Sequence, residues 1–302
     1  MEVSSLMPQP VTLKAPAKIN WFLNVLGLRK DGFHEILSLI QKVTLFDTLT
    51  FAVSENLTIS DTVGIPFEEN LIYKTALILK DKYGIKEGAA IHIDKKIPMG
   101  AGLGGGSSDA AATLLGLNRL WSLHLSTEEL CKAGERIGSD VPFFLLSPIS
   151  LVQGRGERIT PRKAVKPLSL LLVKPSISVS TAWAYRELSA SREEAGKRPE
   201  LTKKADKVNN IEHFIRSIER ADIPSITGYS GAASNDLESV TMKSFPVIAG
   251  IREKLREKGS IFALMSGSGS TVFGVFSSLE KAEEAAGFFN EHWTAVVQTV
   301  TD

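Results

Sequence analysis

Five glycines (Gly100, Gly102, Gly104, Gly105 and Gly106) fall within seven positions of the segment Pro98-Met-Gly-Ala-Gly-Leu-Gly-Gly-Gly-Ser-Ser-Asp109, and a helical pattern follows directly. Glycine allows positive φ and lets a ligand reach the main chain with no Cβ in the way. The helix behind such a loop offers unpaired N–H groups and the positive end of its dipole. A large anion suits that arrangement, in the first place the phosphates of a nucleotide. A flexible linker is the plainer explanation, but Pro98-Met99 before the loop and an apolar helix after it argue for a folded turn.

Two known phosphate loops fit part of the pattern. A P-loop needs Gly-x-x-x-x-Gly-Lys-Ser/Thr, and Gly106 stands where the lysine is required. Gly100, Gly102 and Gly105 satisfy the dinucleotide fingerprint Gly-x-Gly-x-x-Gly. That fingerprint also wants a buried strand before it and an acid about 20 residues on. Here the preceding stretch, residues 91–97, alternates as a half-exposed strand, and Glu128 and Glu129 sit in Ser126-Thr-Glu-Glu129, a capping-box pattern. The dinucleotide match is therefore weak.

After the loop, Ala110, Leu114, Leu117 and Trp121 mark one face of a helix. Ser107, Ser108 and Asp109 are suited to cap it. The two serines either cap alone or also offer hydroxyls to phosphate or to a magnesium ion.

With these residues in view, the chain resembles the GHMP kinases, whose glycine-rich motif matches residues 98–109. Ala15-Pro-Ala-Lys-Ile-Asn20 with Arg29-Lys-Asp-Gly-Phe-His34 resembles the branch that phosphorylates 4-diphosphocytidyl-2-C-methyl-D-erythritol in the non-mevalonate route to isoprenoids. Gly138-Ser-Asp-Val-Pro-Phe143 resembles that branch's catalytic aspartate segment, and Met265-Ser-Gly-Ser-Gly-Ser-Thr271 its second glycine loop. The four segments keep the family's order. The resemblance implies an α+β, two-domain GHMP kinase fold. Residues 1–165 would be a ribosomal protein S5 domain 2-like N-terminal domain carrying the ATP loop, and residues 166–302 a ferredoxin-like C-terminal domain.

Composition agrees. At 302 residues the chain can build two modest cores. Its 35 Lys+Arg balance 34 Asp+Glu, so no global field draws nucleic acid or an anionic membrane. The lone Cys131 excludes an intramolecular disulfide and fits a reducing cytosol, with packing as its expected role. Glu2 and Pro8-Gln-Pro10 do not read as a signal peptide, and no apolar run approaches bilayer length. A soluble, cytoplasmic enzyme of small molecules is expected.

Along the chain, residues 12–14, 19–26 and 37–51 read as strands. A helix capped by Asn70 follows, then a strand over 91–97 and two helices, the second closed by Gly138. Residues 169–173 read as a buried strand, and 181–188 and 210–219 as helices. Between them residues 189–207, rich in Arg, Lys, Glu and Ser, read as an exposed connection. Pro246 opens a helix with Ile248, Ile251 and Leu255 on one face, which Gly259 ends. Strands at 261–265 and 272–276, a helix at 279–290 and a strand at 295–300 complete a split βαβ order, the ferredoxin-like pattern.

A kinase must hold the polyphosphate, align the acceptor hydroxyl and neutralise charge in the transition state. Pro98, Met99, Gly100, Ala101, Gly102, Leu103, Gly104, Gly105, Gly106, Ser107 and Ser108 are the candidate ATP loop, with Mg²⁺ as the accompanying ion. Asp140, ahead of the apolar run Phe143-Phe-Leu-Leu146, either starts a short helix or serves as general base, and the resemblance favours the base. Lys18 reads either as an exposed strand residue or, by the resemblance, as the cation beside the catalytic aspartate and acceptor hydroxyl. The resemblance also implies that Phe33 and His34 hold the substrate's cytosine. Phe33 stands where tyrosine is usual, a change that keeps the stacking face. Asn20 and Thr181 match substrate-contacting positions, and Asn70 and Lys95 match positions near the adenosine, although Asn20 and Thr181 also suit purely local hydrogen bonding. Two rival functions stand beside this one: another GHMP kinase with a different alcohol, and a non-catalytic nucleotide-binding regulator.

Overall fold

A computed structural model describes residues 9–60, 66–194 and 205–302. The chain forms two compact units. The first takes in the described residues up to Ala17, with Phe46–Ile97 and Gly104–Leu146. The second holds Lys18–Leu45, Pro98–Leu103 and Ser147–Asp302. These units differ from the consecutive blocks 1–165 and 166–302. The strands β1 (Val11–Leu28) and β2 (His34–Ser54) are 18 and 21 residues long, and each runs from one unit into the other.

In the first unit the later half of β2 pairs antiparallel with β4 (Gly88–Asp94), from Thr48↔Asp94 to Ser54↔Gly88, and β3 (Thr58–Ser60) lies parallel to β4. The strand expected over 91–97 thus begins earlier and ends at Asp94. Its physical cause is Asp47, whose Oδ1 accepts from the N–H groups of Lys96 at 2.6 Å and Ile97 at 2.8 Å and draws them off the ladder.

Helix α1 (Leu71–Tyr83) starts where expected: Asn70 Oδ1 accepts from Ile72 N–H at 2.9 Å, a cap worth about 1 kcal/mol. Helix α2 (Gly105–Leu120) buries Ala110, Ala111, Leu114 and Leu117. At Gly116 a Cβ would stand 2.3 Å from the Phe51 ring, so only glycine permits this close seating on β2. Helix α3 (Thr127–Glu135) has the capping box of Ser126 and Glu129. Gly138 does not close it, because the helix ends at Glu135 with Arg136 still right-handed, and Gly138 N–H reaches back to Gly134 C=O. The short α4 (Val141–Leu145) follows.

In the second unit the first half of β2 pairs antiparallel with β5 (Ile149–Gly154), which pairs with β6 (Arg158–Arg162). A separate antiparallel sheet has the order β10-β7-β9-β8, built from β7 (Ser169–Lys174), β8 (Phe262–Met265), β9 (Val272–Phe276) and β10 (Trp293–Gln298). Helices α5 (Thr181–Glu194), α6 (Ala205–Arg220), α7 (Ile223–Tyr229), α8 (Glu238–Ser244) and α9 (Pro246–Glu257) lie between β7 and β8. Helix α10 (Leu279–Ala286) lies between β9 and β10. With the last strand beside the first and the third between first and second, this is the expected ferredoxin-like order.

Its core gathers Leu171, Val173, Ile248, Ile251, Leu255, Val272 and Phe289, all nearly inaccessible, so the periodic face read after Pro246 is the face that is buried. Gly259, at φ +89°, ends that helix. The exposed connection expected over 189–207 is narrower than read. Helix α5 continues through Glu194 and α6 begins at Ala205, since Arg and Glu sustain a helix as readily as a loop. Residues 195–204 of that reading lie outside the described residues. No helix among the described residues is long and apolar enough to cross a membrane.

Candidate active site

The first half of the glycine loop, Pro98–Leu103, belongs to the second unit, where a second glycine loop at residues 266–270 grips it. Gly102 has φ +72°, and a Cβ there would sit 2.1 Å from the Ser266 carbonyl oxygen and 2.9 Å from that of Gly269. The Gly102 carbonyl accepts from Lys18 Nζ at 2.8 Å and from Ser266 Oγ at 3.0 Å. Thr271 N–H donates to Ala101 C=O at 3.2 Å, and Lys18 N–H to Leu103 C=O at 2.9 Å. From below, Asn235 Nδ2 donates to the carbonyls of Met265 (2.8 Å) and Gly267 (2.7 Å). The side chains of Ala101 and Leu103 are buried and Met99 is half exposed, so residues 100–103 offer outside groups mainly backbone.

Lys18 is 5% exposed, which removes the exposed-strand explanation. A buried ammonium must be hydrogen-bonded to be tolerated. Besides Gly102 it donates to Asn20 Oδ1 at 2.7 Å, and Asn20 Nδ2 donates to Ser38 Oγ at 2.9 Å. Thr181 opens α5, with Oγ1 3.0 Å from Ser268 Oγ on the second glycine loop.

The turn before β2 is closed by Arg29 N–H to Phe33 C=O at 2.7 Å, with Gly32 at φ +81°. Phe33 is 49% exposed, and the Arg155 guanidinium lies 5.1 Å from its ring centre. His34 is half-buried. Its Nε2 lies 2.7 Å from Ser189 Oγ, and its ring packs on Tyr185 at 4.9 Å. Burial, reinforced by the Arg192 charge, holds its pKa below the ordinary 6.5, so the ring is neutral at pH 7. Tyr185, Ser189 and Arg192 escaped the sequence reading. A signal was present: Thr181, Tyr185 and Ser189 recur every four residues on one face of α5.

In the first unit, Gly104 at φ +71° is the N-cap of α2. The helix therefore starts two residues before Ser107, so Ser107, Ser108 and Asp109 lie in its opening turns and cap nothing. Its first internal bond runs from Ser108 N–H to Gly104 C=O, leaving the amides of Gly105, Gly106 and Ser107 outside the helical ladder. Ser108 Oγ and Asp109 Oδ1 are buried without a hydrogen-bond partner.

Lys95 has two carboxylate partners. Its ammonium pairs with Asp47 and, at 3.1 Å, with Asp109. Burial pushes the Asp109 carboxyl up to about 7, opposed by Lys95 and assisted by the charge of Asp47. Asn70 spends Oδ1 on its cap. Asp140 occupies the N-cap position of α4 with φ −84° and ψ −13° but makes no side-chain cap bond, while Val141, Pro142, Phe143 and Phe144 behind it are buried. The helix-starting explanation for its carboxylate thereby loses its contact. Among the described residues no group of three or more His, Cys, Asp or Glu side chains could hold a metal ion by itself.

The model of the GHMP kinases N terminal domain matches residues 70–147, and that of the GHMP kinases C terminal domain matches residues 219–295. The 4-diphosphocytidyl-2-C-methyl-D-erythritol kinase of Thermodesulfovibrio yellowstonii is 44% identical over 97% of this chain and 99% of its own. The chain belongs to that family of GHMP kinases.

The kinase of the same name from Geobacter metallireducens is 42% identical, covering 91% of this chain and 92% of its own. A solved 4-(cytidine 5'-diphospho)-2C-methyl-D-erythritol kinase superposes with a TM-score of 0.80 at 31% identity, over 97% of this chain and all of the other. L. major mevalonate kinase, at 15% identity and a TM-score of 0.75 over 98% of this chain and 99% of its own, shares the fold.

For this GHMP kinase, Gly102→Ala is expected to raise the KM for ATP about tenfold or more, because the new methyl pushes the two glycine loops apart. Gly100→Ala carries the same φ penalty, but its Cβ would meet only the Ser178 side chain at 3.0 Å, and it is expected to do less. Steady-state kinetics at varied ATP checks both. Equal effects would assign the loss to backbone strain instead.

Proposed function

We propose that this chain transfers the γ-phosphoryl group of ATP to the 2-hydroxyl of 4-diphosphocytidyl-2-C-methyl-D-erythritol. The 44% identity over nearly the full length of a kinase of that name carries the reading. A cytoplasmic setting fits its single cysteine, Cys131.

Phosphoryl transfer asks the protein mainly for position and charge. We assign the triphosphate to the free amides of Gly105, Gly106 and Ser107 and to the glycine-loop backbone before them, where the α2 dipole adds positive potential. The orphaned Ser108 hydroxyl is a hard oxygen donor at the same helix start, a chemistry that fits Mg²⁺ held chiefly by phosphate oxygens. Ser107 and Ser108 are the residues we assign to it, and when bound the ion neutralises phosphate charge.

Asp140, uncommitted to its helix, accepts the proton of the acceptor hydroxyl as phosphorus–oxygen bond formation proceeds. Lys18, fixed by Asn20 and Gly102, supplies a rigid positive charge for the hydroxyl and incoming phosphoryl oxygens. Phe33 offers an exposed ring for cytosine to stack on, with Thr181 and Asn20 assigned to the rest of the substrate. Neutral His34 offers the base edge one donor or acceptor, depending on tautomer.

Substrate-dependent ADP release with 4-diphosphocytidyl-2-C-methyl-D-erythritol, mevalonate and homoserine tests the assignment. Only the first is expected to be turned over, and equal rates with mevalonate or homoserine would overturn it. Asp140→Asn is expected to bind ATP normally and lose about 10²–10⁴-fold in kcat; a variant within a few-fold of wild type removes Asp140 from the chemistry.

The His34 pKa gives a pH dependence with a definite sign. Because its folded value lies below the ordinary one, the neutral ring prevails above pH 6.5 and protonation sets in below. The KM for the cytidyl substrate is expected to stay flat from about pH 8 to 6.5 and to rise as the pH falls further. In His34→Ala the rise should vanish, along with the preference for cytidyl over uridyl substrate. Phe33→Ala should raise the same KM and spare that for ATP. A pH rise that persists in His34→Ala would assign the titration elsewhere.

A further inference from the structure

We propose that Asp47, Lys95 and Asp109 form a clasp at the neck of the first glycine loop and act as positioning residues for ATP. Lys95 precedes the loop and Asp109 follows it, so their 3.1 Å ion pair ties the end of β4 to the first turns of α2. Asp47 anchors the knot from β2. It is fully buried and accepts from the Lys95 ammonium and from the N–H groups of Lys96 and Ile97. A carboxylate removed from water this completely persists only with its oxygens satisfied, and here all three donors come from residues 95–97, between the end of β4 and the loop.

The ammonium also lies against the phosphate-binding turn itself. A Cβ on Gly105, the first residue of α2, would stand 3.0 Å from Lys95 Nζ and from Ile97 Cγ2. The amides of Gly105, Gly106 and Ser107 therefore rest on a floor whose height the triad sets. Asp47 is 0% and Asp109 4% exposed, so both act on the nucleotide through the backbone they hold, without touching it. A buried cluster that only stabilised the fold would change unfolding and the active fraction. A clasp that shapes the loop changes ATP affinity selectively.

The inference rests on the kinase reading and is separable from it. In steady-state assays, Asp109→Ala and Lys95→Met are each expected to raise the KM for ATP about tenfold, leaving kcat and the KM for the alcohol within about twofold. Asp109→Asn keeps an oxygen that can accept from Lys95 and should rescue most of the loss. The double variant Lys95→Met/Asp109→Ala should be no worse than the poorer single variant, because both break one knot. An unchanged KM for ATP in Asp109→Ala, or additive losses in the double variant, would overturn the clasp while leaving wild-type turnover intact. Absence of wild-type turnover would instead sink the kinase reading. Should Asp109→Ala fail to fold, Lys95→Gln carries the same test: a selective rise in the KM for ATP supports the clasp, and loss of kcat alone overturns it.

Discussion

The carbonyl oxygen of Gly102 receives the Lys18 ammonium and the Ser266 hydroxyl at once, in a space that would not admit one methyl group. Much of the second unit is arranged around that contact. Asn235 holds the 266–270 loop at its height, Asn20 and Ser38 fix the Lys18 side chain, and Thr181 reaches the same loop through Ser268. A buried lysine is costly unless it is hydrogen-bonded, and here the ammonium donates to the Gly102 carbonyl and to Asn20. Rigidity of this kind is what phosphoryl transfer requires, since the protein contributes position and fixed charge more than covalent chemistry.

Much of this was legible in the residues. The glycine run marked the loop, the period at Ile248, Ile251 and Leu255 marked a core-facing helix, and the strand–helix order after residue 169 announced the ferredoxin-like sheet. Local chemistry was the most transparent: the Asn70 cap and the Ser126–Glu129 box depend on neighbours a few residues apart, and both are present.

What escaped depends on partners far apart in the chain. Nothing near Asp47 says that it will take the N–H groups of Lys96 and Ile97 and so end β4 at Asp94. Nothing local announces the two carboxylate partners of Lys95, which lie 48 residues before it and 14 after it. Capping by Ser107 to Asp109 was a plausible local solution that Gly104 pre-empted by taking the left-handed cap conformation. The substrate side shows the same limit: His34 is a turn residue by sequence and acquires Tyr185 and Ser189 only through folding.

The central proposal is that Pro98–Leu103 and the 266–270 loop, joined through the Gly102 carbonyl within the second unit, respond to ATP as one element. Amide hydrogen exchange with and without a non-hydrolysable ATP analogue and Mg²⁺ tests it most directly. The account predicts that the amides of Gly100 and Gly102 and those of Gly267 and Gly269 gain protection together when the nucleotide binds. Protection confined to the first loop, with residues 266–270 exchanging as in the free enzyme, would contradict it.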